Sequence, residues 1–112
     1  MPTFLVISRH SPESCSMHNE KSAKIALDWF SKHEELEAKH GVKMVGGWNV
    51  HPEHLVVQVF EAPSYEAMDA YGMEPEVMDQ STWNTMEKKV AMTIEETGRM
   101  MRQRMEQMMQ QK

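Results

Sequence analysis

The chain has 112 residues, with 17 acidic and 12 basic side chains for a formal net charge of -5. That length supports a single domain over residues 1–112 with a core modest enough for oligomerisation to help it. The acidic balance excludes a surface built for nucleic acid or for an anionic membrane.

Cys15 is alone, so no intrachain disulfide forms and a reducing cytoplasm is the expected compartment. Residues 1–7 lack a charged leader and are too short to span a bilayer, so neither a signal peptide nor a membrane helix is expected. Residues Thr3 to Arg9 read as a first strand, with Phe4, Val6, Ser8 and His10 on one face and Leu5 and Ile7 on the other. Ser11-Pro12 has the form of a helix cap followed by Pro at the first helical position. From about Asn19, Ile25, Trp29 and Leu36, with Ala26 and Phe30 alongside, form one apolar stripe of a helix that stops at His40-Gly41.

Val42 to Val50 and His54 to Glu61 are two further strands joined by a turn at His51-Pro52-Glu53. In the third strand Leu55, Val57 and Val59 make a purely apolar face, while His54, Val56, Gln58 and Phe60 make an apolar face interrupted by polar groups. The pure face is expected to take the helices, and the mixed face to line a pocket closed by a second subunit. Gly46-Gly47 marks a bulge or a close backbone approach. Ser64 caps a short helix carrying Ala67, Met68 and Tyr71, interrupted at Met73-Glu74-Pro75-Glu76. A fourth strand is expected from about Trp83 to Met92, edge-like because of Glu87-Lys88-Lys89. Thr93-Ile94-Glu95-Glu96 is a capping box opening a methionine-rich helix over about 93–110.

The order β-α-β-β-α-β plus a terminal helix is the ferredoxin-like arrangement of an α+β protein. Element order and the passage Val59-Phe60-Glu61-Ala62-Pro63-Ser64-Tyr65-Glu66-Ala67 resemble the dimeric α+β barrel superfamily, which includes small monooxygenases of the antibiotic-biosynthesis type, muconolactone-isomerase-like proteins and stress-responsive barrel proteins. The resemblance implies a homodimer or higher homo-oligomer, two sheets facing each other around a small-ligand pocket. It fixes architecture better than chemistry.

With a sheet order of 4-1-3-2, the end of the first strand lies beside the start of the third, which brings His10 and His54 to one rim. The loop carrying Glu13, Cys15 and His18 leaves from that rim, His51 sits in its turn, and the second helix is expected to return Glu74 and Glu76 to it. Imidazole, thiolate and carboxylate are ligands for zinc, iron, nickel or copper, and Cys15-x2-His18 and His51-x2-His54 have spacings met in metal sites. The favoured site uses His10, His54 and Cys15, with Glu13, His51, Glu74 and Glu76 as secondary candidates; no zinc-finger frame is present.

Without a metal, His10 or His54 is a candidate general base, oriented by Glu13 or Glu74, for a cofactor-independent monooxygenase or isomerase. A non-catalytic assembly or regulatory module is the third reading. His18 reads as a solvated turn residue, and His33 and His40 as surface residues of the first helix. Trp48 and Trp83 are core or interface aromatics or walls of the pocket. Met101, Met105 and Met108 share one face of the last helix, suited to packing against a partner subunit more than to holding Cu(I).

Overall fold

The computed structural model describes residues 1–111. Four strands, β1 (Thr3–Arg9), β2 (Lys43–Val50), β3 (Leu55–Glu61) and β4 (Thr85–Ala91), form one antiparallel sheet in the order β2-β3-β1-β4. Helices α1 (Glu20–His40), α2 (Tyr65–Gly72), α3 (Pro75–Met78) and α4 (Ile94–Gln110) complete an α+β chain consistent with a ferredoxin-like fold. Among the described residues, no helix is long and apolar enough to cross a membrane.

Local sequence sets the boundaries. The Asn19 side chain accepts the Ser22 amide to start α1, and Gly41 ends it in the left-handed conformation at φ 68°, which a residue without a Cβ adopts without steric cost. Ser64 caps α2 by accepting the Ala67 amide. Thr93 and Glu96 close the reciprocal capping box of α4. The register of β2 on β3 shifts between Met44 and Gly46, which is the bulge expected at the paired glycines, and the Trp48 ring lies against Gly46 where a Cβ would come within 2.8 Å.

The assignment of the two sheet faces is the reverse of the expected one. Cross-strand neighbours place Met44, Phe60 and Phe4 in one row, Gly47, Gln58, Val6 and Lys88 in the next, and Asn49, Val56, Ser8 and Met86 in a third. The helices cover this mixed face. Phe4, Val6 and Phe60 pack with Val42, Ala62, Met68 and Tyr71 into the buried core, and Leu36, Met44 and Val77 border it. The purely apolar face, with Leu5, Ile7, Leu55, Val57 and Val59, is only partly buried in the single chain. Volume explains the choice: the mixed face carries the two phenylalanines, and burying each such ring contributes about 1.5–3 kcal/mol.

The same face is uneven along its length. At the Phe4–Phe60 end, Met68 and Tyr71 fill the space under the helices. Toward the other end Ser8, Val56 and Asn49 are short, and a cleft of about 640 Å³ opens between sheet and helices, with Phe60, Met68 and Tyr71 also on its border. The pocket is therefore walled by this chain's own helices.

Helix α4 stands apart. It makes no extended packing against the sheet or the other helices, and Ile94 is 82% exposed. The radius of gyration is 17.6 Å, against about 13 Å for a compact globule of this length, because α4 projects along a long axis of 64 Å.

Candidate metal centre

The site lies where β1 ends and β3 begins. The His10 amide donates to the His54 carbonyl at 3.2 Å, continuing the β1–β3 ladder by one residue and setting the two imidazoles 5.2 Å apart between ring centroids in an edge-to-face contact. His54 holds a left-handed conformation at φ 53°, and its amide donates to the His51 carbonyl. This turn directs the His54 ring toward His10 and keeps the His51 ring 5.9 Å away.

The third group comes from the loop before α1. Ser11 accepts the Ser14 amide to close a short 3-10 turn beginning at Pro12, and the Cys15 amide donates to the Pro12 carbonyl. The Cys15 carbonyl in turn accepts from His18 and Asn19, while the Asn19 side chain donates to the Glu13 carbonyl. A segment bonded at both ends presents a thiol that is only 2% exposed.

One ligand atom each from His10, Cys15 and His54 lies within 4.8 Å of the other two. Tetrahedral coordination at about 2.0–2.3 Å needs donors roughly 3.5 Å apart, so modest side-chain rotation closes the set. Both His10 ring nitrogens and Nδ1 of His54 are buried without a hydrogen-bond partner among the described residues. A buried polar atom without a partner costs about 1–3 kcal/mol, and the large majority of buried side-chain polar atoms are satisfied by protein or water.

Burial pushes the His10 pKa below its usual 6.5; the Asn84 side chain, close by but outside hydrogen-bond geometry, works the other way, and His54 and His51 add to the lowering. The lowering favours the neutral imidazole, the form that ligates a metal. Two nitrogens and a sulfur suit zinc, copper, nickel or iron and disfavour magnesium or calcium.

The other expected members are placed elsewhere. His51 is exposed at the rim and borders the cleft, while Glu13 and His18 are exposed outside the three-residue cluster. Glu74 and Glu76 do not reach the rim. Glu74 Oε1 accepts from Lys39 and pairs with His40 at the C-terminal end of α1, whereas Cys15 precedes its N-terminus, and the 21 residues between make about 30 Å of helix. The chain covers that distance afterwards. Helix α3 and the following turn run along α1, the Gln80 side chain donates to the Ile25 carbonyl, and the chain arrives at His10 with Trp83 and Asn84.

Trp83 lies 5.1 Å from His10 between ring centroids, its buried Nε1 without a hydrogen-bond partner among the described residues. Asn84 and Gln80 had no signal in the sequence, because a helix and turn absent from the expected pattern deliver them. His33 and His40 are also not plain surface residues. His33 stacks on Trp29 with ring centroids 4.5 Å apart and pairs with Glu37 at 2.6 Å, and His40 pairs with Glu74 at 2.9 Å.

Comparison with family models, with curated proteins and with solved structures gives no match to this chain. The reading of the site therefore rests on its own geometry.

Proposed function

We propose that the protein binds a transition metal ion through His10, Cys15 and His54, with a remaining coordination position facing the cleft. The observation that carries this reading is the convergence of one ligand atom each from His10, Cys15 and His54, with ring nitrogens of both histidines buried and without hydrogen-bond partners among the described residues. The metal-free alternative, in which one of these histidines is the general base of a monooxygenase or isomerase, has less support: Glu74, expected to orient such a base, is engaged with Lys39 and His40, and Glu13 is outside the cluster.

The test is metal analysis of protein prepared without a histidine tag, together with Co(II) titration. About one equivalent of zinc, iron, nickel or copper, and thiolate-to-cobalt charge-transfer absorption lost in Cys15→Ser, are expected. His10→Ala, and His54→Asn, which tolerates the left-handed backbone, should each weaken Co(II) binding by at least about tenfold. Substoichiometric metal and a featureless titration would remove the proposal.

The open sheet face supports a homodimer of two such chains. Leu5, Ile7, Val57 and Val59 form a contiguous apolar strip across β1 and β3, bordered on β4 by Glu87 and Lys89 and at the strand end by Arg9, with Glu87 paired to both cations. An apolar centre with a charged rim is the composition of an interface core, and an isologous pairing buries the strip on both copies at once. Helix α4 follows directly on β4, and its exposed methionines give a second copy further apolar surface to cover.

A further inference from the structure

The cleft runs from the metal-ligand cluster to solvent, and its walls are unusual for an unoccupied surface. Met17, Phe30, Met73, Met78 and Met86 all border it and are 36–70% exposed. Scattered apolar exposure is ordinary, but here it is gathered around one concavity whose volume falls in the range of small-molecule sites. The inner end has a different character. The His10, Cys15 and His54 cluster, with Trp83 against His10, places a buried N–H donor with no acceptor beside the proposed ligands. The acidic side chain on the cleft's border, Asp69, is already paired with Lys88.

Resting on the metal reading above, we infer that the cleft binds a monoanionic amphiphile: an apolar body along the methionine walls and one oxygen anion at the inner end. A divalent ion with one thiolate and two neutral imidazoles leaves a single positive charge in a poorly solvated place. A carboxylate supplies the opposite charge and an acceptor for Trp83 Nε1 together, which a neutral alcohol does not. The methionines among the walls conform to a flexible chain, and the rings of Trp29 and Phe30 add flat apolar surface beside them.

Titration of the Co(II)-loaded protein with acetate, hexanoate, decanoate and decanol tests this, read by the cobalt absorption bands and by tryptophan fluorescence. Decanoate should shift the cobalt bands, affinity should rise up to about fourfold per methylene along the acid series, and decanol should bind at least tenfold more weakly than decanoate. Trp83→Phe should weaken every acid about tenfold while preserving Co(II) uptake and the increment per methylene. Equal affinity for acetate and decanoate, equal affinity for decanol and decanoate, or unchanged decanoate affinity in Trp83→Phe would each overturn the assignment, as would decanoate affinity that falls with rising protein concentration, since a second copy would then occupy the cleft. Cobalt uptake with bands that decanoate leaves unmoved would overturn this inference alone, whereas failure to take up cobalt would overturn the metal reading and this inference with it.

Discussion

Tyr71 joins the core to the polar side of the helix layer. Its ring packs against Phe60, its hydroxyl accepts the Trp29 indole N–H at 3.0 Å and donates to Glu37 at 3.4 Å, and burial raises its pKa. Tyr71→Phe keeps the ring and strands both partners, so a loss of about 1–3 kcal/mol is expected in denaturant unfolding. Glu74 gives the chain an acid-sensitive contact. Hydrogen bonds from Lys39 and His40 hold its pKa below the ordinary 4.5, so the folded state binds fewer protons than the unfolded one. The resulting stability is complete above about pH 4.5 and is lost as the pH falls through the depressed folded value. Glu74→Gln should therefore narrow the difference in melting temperature between pH 7 and pH 4 relative to the parent. Neither pairing was legible in sequence, since both link residues 34 or 35 positions apart on helices whose mutual placement periodicity does not encode. The alternation of β1, by contrast, was enough to put His10 on the same face as Phe4, Val6 and Ser8.

At the scale of elements, the caps were readable because each has a local cause: Asn19, Gly41, Ser64 and the Thr93–Glu96 box all act within a few residues of themselves, whereas the strand order followed from the succession of elements. Which face the helices would choose was not, since alternation marks two faces without ranking them. The decision came from the ring volume of Phe4 and Phe60 against smaller aliphatics opposite. The route of the chain after α2 was likewise hidden, because Met73-Glu74-Pro75-Glu76 reads as a break and in fact restarts a helix at Pro75. Helix α4 depends most on its local signals. With 17 residues and little tertiary support it is close to the length at which isolated helices are marginal. Thr93→Ala, which removes half of the capping box, should cost about 1 kcal/mol of helix stability and lower the far-ultraviolet helical signal without altering the sheet.

The whole molecule combines a filled half, an open half and an arm. Its long axis of 64 Å against 32 Å and 17 Å describes a shape that leaves the methionines of α4, 50–66% exposed, in solvent. Pairing of two copies through the bare sheet face, with α4 engaging the partner, would remove both exposures. Val57→Lys puts a charge in the middle of that face and should convert a dimer to a monomer in light scattering while leaving cobalt uptake intact, because Val57 and the ligand cluster occupy opposite sides of the sheet. A parent protein of monomer mass would count against the pairing.

Because a single sheet one residue thick separates the proposed association surface from the cleft, β1 would serve both proposed roles in strict alternation. Saturating substitution along Thr3–Arg9 should yield two interleaved phenotypes: damage at Leu5 and Ile7 felt in assembly, damage at Val6 and Ser8 felt in what the molecule holds. A two-residue rhythm of that kind in a mutational scan would read out the two sides of the sheet without any further structure.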